Sequence, residues 1–465
     1  ELADLHFARF DILTRLGDVE GMADTAAELL SLAKRLASPT TEAEANLAAA
    51  MFRLWQSDIA IAREHALLAL TLGEQTQEPA ICCRAHFTLA QIGMCLGDHR
   101  FIRFHAERGL SIAQRLGAPH WEALFHLSLS GASFLSGDWP ESLRRTVEAS
   151  DLARRVGYPR DLTNALAERA MILALKGDLA EAESCISEAR MAFGSGTTAD
   201  RAVFGRLDIA ETALALELGR VERALEIASG YVCPSTSSLQ ERATVGVQPR
   251  YMPMGLMLLA QAQIAAGDAA SALETAGKLT DLGPAGTQYL TALASRAEGL
   301  ARQGLGETET AVECLARAYE AFSSLEIPFE AAKSLFERAT VLATTGRSGP
   351  AIMAARQSLS VFERLDAQRY VDHVQRLLRE LGVSPPVARR TRTKKGLLSV
   401  RELEVARLVA DGLTTTQIAE RLGLSRYTVS AHLEHMYARL GIGSRVALTR
   451  HVIETGLLSS DGENP

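Results

Sequence analysis

The sequence is poor in aromatic residues and in long apolar runs. Phe, Trp and Tyr together make up 5% of the 465 residues, whereas hydrophobic residues, many of them Ala and Leu, make up 47%. This balance favours helices over sheets. We therefore predict an all-α protein, and the length of the chain predicts at least two domains or a repeat array.

Cysteine is scarce as well, and no CxxC motif or Cys/His cluster with metal-binding spacing is present. We expect reduced, structural thiols in a cytoplasmic protein from the six scattered cysteines, Cys82, Cys83, Cys95, Cys185, Cys233 and Cys314. The most apolar stretch, from Met252 to Ala266, is too short for a membrane span. No acid–base pair or nucleophile motif points to an enzyme, and we expect no signal peptide, membrane contact, metal or cofactor.

Positive charge is concentrated at one end of the chain. The formal net charge is −7, but residues 389–454 carry 12 Lys and Arg against 6 Asp and Glu, or +6. Because Asp461 and Glu463 add −2, the first 388 residues carry −11. A polyanion such as DNA would therefore be attracted by the C-terminal end and repelled by the rest.

A Gly-Asp pair recurs along the first 388 residues and indicates an internal repeat. It begins at positions 17, 97, 137, 177 and 267. The first four positions, together with Ser57-Asp58, are spaced in steps of 40 residues or a multiple of 40. Gly219, Gly306 and Gly346 continue the series with slippage, which predicts about nine helical hairpins. In each hairpin we expect the glycine to end the first helix in a left-handed conformation and the aspartate to cap the second.

A small residue five positions after the turn glycine would let the two helices of a hairpin pack closely. The sequence supplies Ala182, Ala224, Ala272, Ala311 and Ala351. This pattern resembles the tetratricopeptide repeat, although the step exceeds the usual ~34 residues, and HEAT or armadillo repeats of ~40–47 residues are an alternative. Either architecture implies a right-handed solenoid over residues 1–383. Its extended concave surface would bind a small ligand or a protein partner, rather than serve as a spacer.

Two polar segments fall outside the helical pattern. The first, from Cys233 to Arg250, forms a loop insertion that either lines a ligand site or is simply solvated. The second, residues 384–396, is a basic linker that either clamps phosphates or acts only as a flexible tether. It leads to a domain at residues 397–458, which a short tail at 459–465 follows.

Start and stop signals divide this domain into four short helices. The expected caps, in chain order, are Ser399 with Glu402, Thr414 or Thr415, Ser425, and Ser444. The short connection from Leu422 to Ser425 is typical of a helix-turn-helix. The third helix would then enter the major groove of DNA, with the amides of its leading turn facing phosphate.

The spaced pattern of this domain resembles the LuxR-type DNA-binding domain of bacterial regulators. That family shows roughly L-T-x-R-E-x-E-V, then G-x-(S/T)-x-x-x-I-A-x-x-L-x-(I/L)-S-x-x-T-V-x-x-H-(L/I), then K-L-G and S-R. The matching residues are Leu398, Arg401, Glu402, Glu404, Val405, Gly412, Ile418, Ala419, Leu422, Ser425, Thr428, Val429, His432, Leu433, Leu440, Gly441, Ser444 and Arg445.

The resemblance implies which residues would face DNA. Phosphate contacts are implied for Thr415, Ser425, Thr428 and Arg439, and the base-facing side of the third helix for Arg426, Ser430, Ala431 and Glu434. The wider DNA-binding set adds Gln417, Tyr427, His432 and Arg445. The family usually has Lys at the position of Ser430 and often a basic or amide residue at that of Glu434. Because glutamate accepts from cytosine N4 but repels phosphate, site preference cannot be copied from relatives.

The order of array and LuxR-type domain resembles the C-terminal part of large, ATP-dependent, MalT-like regulators. That resemblance implies an inducer-binding array, a homodimer or higher oligomer on double-stranded promoter DNA, and contact with RNA polymerase. It also implies an ATP-binding switch module. Since this sequence has no G-x-x-x-x-G-K-(S/T) motif and starts at Glu1, we expect that module upstream. The competing hypothesis is a protein-interaction scaffold with a weak nucleic-acid anchor.

Overall fold

The structure is a computed structural model that describes residues 2–16, 18–193, 201–230, 251–282, 287–383, 400–422, 426–440, 442 and 444–454. The predicted loop from Cys233 to Arg250, the basic linker and the tail lie outside these residues. Within the described ranges the regular elements are helical and no strand occurs, which confirms the all-α class. The chain forms two compact units, Glu1–Val383 and Ser384–Pro465.

The first unit is built from antiparallel helical hairpins. Its helices are α1 (Leu2–Leu16), α2 (Val19–Leu36), α3 (Pro39–Trp55), α4 (Ile59–Gln75), α5 (Pro79–Leu96), α6 (His99–Leu116), α7 (Pro119–Ser136), α8 (Trp139–Val156), α9 (Pro159–Lys176), α10 (Leu179–Phe193), α11 (Arg201–Glu217), α12 (Val221–Ser229), α13 (Met252–Ala265), α14 (Ala269–Asp281), α15 (Gln288–Gly304), α16 (Thr308–Ser324), α17 (Pro328–Thr344), α18 (Ser348–Arg364) and α19 (Gln368–Glu380). The described residues thus form nine pairs, α1/α2 to α17/α18, and a final α19. This is the tetratricopeptide-like array that the repeat predicts.

The turn residues of the hairpins have the predicted conformations. Gly97, Gly137 and Gly177 have left-handed φ values of 65°, 84° and 98°. Ser57, which stands at the equivalent turn position in place of glycine, has a φ of 63°. The Asp98 carboxylate accepts a hydrogen bond of 2.9 Å from the backbone amide three residues further on and so caps α6. The small residues expected in the second helices are fully buried: Ala182, Ala224, Ala272, Ala311 and Ala351.

The array winds back on itself. The turn at Gly97 lies against Tyr289, the turn at Gly137 against Pro328, and the turn at Gly177 against Arg369. Three successive turns therefore meet the starts of α15, α17 and α19, each five hairpins further along the chain. These contacts between distant hairpins are not among the features that the sequence predicts. Small rotations between successive hairpins add up to bring these turns and helix starts together, and no local sequence pattern records such rotations.

Aromatic packing and ion pairs hold this seam together. Trp139, which begins α8, is 1% exposed and packs edge-on against Phe329 of α17 with ring centroids 4.9 Å apart. Three ion pairs also join distant hairpins, namely Arg100 with Glu326 (2.6 Å), Lys176 with Asp366 (2.9 Å) and Arg369 with Glu217 (2.8 Å). The seam is therefore part of the folded core of the first unit.

Replacing Gly97 with alanine should destabilise the array because the seam has no room for a β-carbon there. A Cβ at Gly97 would lie 2.6 Å from the buried Tyr289 ring, and the φ of 65° is strained for alanine. We expect a loss of about 2–5 kcal/mol in unfolding free energy, from left-handed strain and overpacking together. Urea unfolding followed by circular dichroism measures it.

Gly117→Ala is the matched control for this prediction. Gly117 has a similar φ of 60°, but a Cβ there would meet no atom within 4 Å. Only the conformational strain should remain, about 1–2 kcal/mol. Equal losses in the two variants would show that the seam does not form.

The second unit contains four short helices, α20 (Val400–Ala410), α21 (Thr415–Leu422), α22 (Arg426–Leu440) and α23 (Arg445–Glu454). Helix α20 packs against α22 and α23, and α21 packs against α22. Their apolar sides form one core that contains Val405, Ala406, Val409, Ile418, Ala419, Val429, Leu433, Met436, Leu448 and Val452.

Other expectations concern membranes and metals. None of the helices in the described part of the chain combines the length and apolar character needed to cross a bilayer. The described cysteines are free thiols, and Cys233 lies outside the described residues. Among the described side chains, no group of three or more His, Cys, Asp or Glu residues has a metal-binding arrangement.

Candidate nucleic-acid interface

Helix α22 is anchored by buried apolar residues and exposes two residues of its leading turn. Val429 and Met436 are fully buried, and Leu433 is 7% exposed. Arg426 and Ser430, which lie one helical turn apart in the leading part of the helix, are exposed. A helix held by its apolar side and bearing a cation at its first residue can present its leading turn to an anionic partner.

The helix before it, α21, begins with a reciprocal capping box. The Thr414 amide and hydroxyl both donate to the Gln417 side-chain oxygen, at 2.9 and 3.0 Å, and the Gln417 amide donates to the Thr414 hydroxyl at 3.3 Å. Of the two predicted caps, Thr414 is therefore the one used, and Thr415 is the first helical residue. Gln417, predicted to face DNA, has its side-chain oxygen engaged in the cap although it is exposed.

Arg445, also predicted to face DNA, fixes the loop that precedes α21. Its guanidinium donates to the backbone carbonyl of Leu413, and the side chain is half-buried. The Ser444 hydroxyl accepts from the Ala447 amide at 3.2 Å, which confirms the predicted cap of α23. Arg445 therefore ties the start of the last helix to the entry of the helix-turn-helix.

The remaining predicted residues gather on or next to α22. Thr428 and His432 are half-buried, and Thr415 is half-buried at the start of α21. The backbone positions of Tyr427, Ala431, Glu434 and Arg439 lie on α22, and Ser425 lies outside the described residues. Direct DNA contact by these residues stays a prediction.

The C-terminal unit combines a four-helix core, a three-residue connection between α21 and α22, and an exposed leading turn of α22. This combination agrees with a match to a known family. Residues 396–452 match the family of bacterial regulatory proteins of the LuxR type. The C-terminal unit is a LuxR-type domain. Within this domain, α21 and α22 are the helix-turn-helix pair, and α22 occupies the position of the second helix of that motif.

Relatives extend the similarity beyond the LuxR-type domain. Proteins of Mycobacterium bovis and Mycobacterium tuberculosis that are named as HTH-type transcriptional regulators are 27% identical over 398 residues, which cover 78% of this chain and 43% of theirs. The oxygen regulatory protein NreC of Staphylococcus aureus is 40% identical over 62 residues, 13% of this chain and 29% of its own. The chain thus spans less than half the length of the mycobacterial relatives.

A solved structure of a Rap protein complexed with competence and sporulation factor aligns with 98% of this chain and 99% of its own length. The sequence identity is 12% and the TM-score is 0.32. A similarity this distant supports no statement about the array.

Proposed function

We propose that this protein is a transcription regulator. Its LuxR-type domain reads promoter DNA through α22 in the major groove, and its helical array senses a small ligand or a protein partner. The observation that carries the proposal is the leading turn of α22, where Arg426 and Ser430 are exposed while Val429, Leu433 and Met436 anchor the helix in the apolar core.

The charge distribution supports this assignment of roles to the two units. The net charge of +6 over residues 389–454 favours approach to the phosphate backbone, and the −11 of the first 388 residues opposes it. The array is therefore suited to bind something other than nucleic acid. Its length of nine described hairpins exceeds what a spacer requires.

The protein would bind DNA as an assembly of more than one copy. A single reading helix covers only a few base pairs, and dimers of helix-turn-helix proteins read two half-sites about one helical turn apart. We propose that two copies bind paired half-sites and that the bound complex contacts RNA polymerase.

Substitutions on α22 should separate backbone contacts from base contacts. Thr428→Ala and Arg439→Ala should weaken binding to all duplexes alike, and Arg439→Ala should also lower the salt slope by about 1, because each removes a phosphate contact. Arg426→Ala and Glu434→Ala should change which duplex is preferred, by about 1–3 kcal/mol at single base pairs. Gel-shift titration against duplexes selected from a random pool by the full chain measures both effects.

Arg407→Ala controls for the loss of one positive charge. Arg407 is exposed on α20 and does not belong to the reading helix. We expect its affinity and sequence preference to stay within about twofold of the unchanged protein. Unchanged binding by all four α22 variants would contradict the proposed docking of this helix.

A further inference from the structure

The loop that joins α20 and α21, residues 411–414, is hydrogen-bonded to three helices. The Leu413 amide donates to a backbone carbonyl of α20 at 3.1 Å, and the Thr414 amide donates to the Gln417 side-chain oxygen of α21 at 2.9 Å. The Leu413 carbonyl accepts a hydrogen bond from the Arg445 guanidinium at the start of α23. Hydrogen bonds from a charged donor are stronger than those between neutral groups. Arg445 therefore connects this loop firmly to α23.

The surroundings of Arg445 hold its side chain against the domain. The residue is half-buried. Burial raises the pKa of the Tyr437 hydroxyl and the positive charge of Arg445 acts against that rise, so the guanidinium lies near Tyr437 as well as Leu413. Arg445 is also the first residue of α23, where the helix dipole disfavours a cation. A cation kept in this position, with its donor turned to a carbonyl of the same domain, indicates a role inside the domain.

Helix α21 depends on this loop for its position. It has only 8 residues, and a helix this short is not stable without packing. It packs against α20 and α22, and its first turn begins directly after the loop. In a helix-turn-helix the first helix crosses the DNA backbone while the second enters the major groove. A displaced loop would therefore shift α21, and with it the approach of α22, relative to DNA.

We infer that Arg445 is a positioning residue for DNA recognition, which holds the α20–α21 loop in place and does not itself bind a phosphate. The resemblance to LuxR-type domains implies that Arg445 faces DNA, whereas the structure turns its guanidinium to the Leu413 carbonyl. Loss of affinity on substitution fits both roles, but only a phosphate contact also changes the salt dependence of binding. The inference rests on the proposed function, because it concerns how the same domain meets DNA.

Replacing Arg445 with methionine in the full-length protein separates the two roles. Methionine keeps an apolar stem and removes every donor, so the affinity for a selected duplex should fall about tenfold through the lost bond to Leu413. Arg407→Met is the matched control, since it removes the same charge at an exposed position of α20. We expect both variants to show the same slope of log affinity against log salt concentration. A slope lower by about 1 for Arg445→Met alone would reveal a phosphate contact and overturn the inference.

A double-mutant cycle locates the effect in the loop. Thr414→Ala removes the hydroxyl that bonds the loop to Gln417, and Arg445→Met removes the bond to α23. Because both substitutions release the same four residues, the combined loss of affinity should be at least about threefold smaller than the product of the single losses. Arg407→Met combined with Thr414→Ala should give the product within about twofold. A simple product for Thr414→Ala with Arg445→Met overturns the inference.

Hydrogen exchange measured by mass spectrometry without DNA keeps the inference apart from the proposed function. We expect Arg445→Met to speed exchange about tenfold in a fragment that covers residues 411–418 and to leave the fragments of α20 and α22 unchanged. Unchanged exchange in that fragment, or faster exchange throughout the domain, would overturn the inference whatever the DNA affinity. If the unchanged protein shows no specific DNA binding, the proposed function is overturned, and exchange still decides whether Arg445 holds the loop.

Discussion

Replacing Arg296 with alanine is expected to lower the apparent free energy of unfolding of the array by about 3–5 kcal/mol. Arg296 is 1% exposed, and its guanidinium donates to Glu330 at 2.5 Å and to Glu337 at 2.6 and 2.8 Å. Burial alone would lower the pKa of Arg296, but the Glu337 and Glu330 carboxylates raise it above the usual range. Removing the cation would leave both carboxylates without their shared partner.

Urea unfolding monitored by circular dichroism provides the test, with Arg144→Ala as the control. Arg144 also pairs with two carboxylates, Glu141 and Glu148, but its side chain is 51% exposed. Water and salt screen that pair, so we expect a change below about 1 kcal/mol. A loss at Arg296 no larger than the loss at Arg144 would show that the buried network does not form.

Replacing Met436 with aspartate should abolish DNA binding, by more than a hundredfold, and leave the array folded. Met436 is fully buried in the core shared by the helices of the LuxR-type domain. A domain of about 60 residues has only about 3–5 kcal/mol of stability, and burying an unpaired carboxylate costs at least as much. Because this core contains only residues of the second unit, the array should keep its helical signal.

Gel-shift titration and thermal unfolding of the same preparation check both halves of this prediction. Met436→Leu is the control, since a substitution that nearly conserves volume and polarity costs less than about 1.5 kcal/mol. Retained specific DNA binding by Met436→Asp would contradict the assignment of α22 as a helix held by this core. Joint loss of the array's transition would contradict the independence of the two units.

The hairpins of the array could be predicted because their signals are local. The turn glycines and capping aspartates act within a few residues, as at Gly97 and Asp98, and periodic Ala and Leu define the buried sides of helices. Contacts between distant hairpins could not be predicted in the same way. The packing of Trp139 against Phe329 depends on rotations accumulated over five hairpins.

In the candidate DNA interface, too, local features could be predicted from the sequence and contacts between distant residues could not. The capping box of α21 was recoverable from Thr414 and Gln417, because a threonine followed three residues later by glutamine is a helix-start signal. The bond from Arg445 to the Leu413 carbonyl links residues 32 positions apart, and no spacing rule predicts it.

Competition binding of the full-length protein measures whether α22 distinguishes one DNA sequence from another. A duplex selected by genome-wide footprinting competes with random-sequence duplex of equal length at a fixed salt concentration. If α22 reads bases in the major groove, the selected duplex should bind at least about 10³-fold more tightly. Equal affinity for both duplexes would contradict the account and favour a scaffold with a nonspecific nucleic-acid anchor.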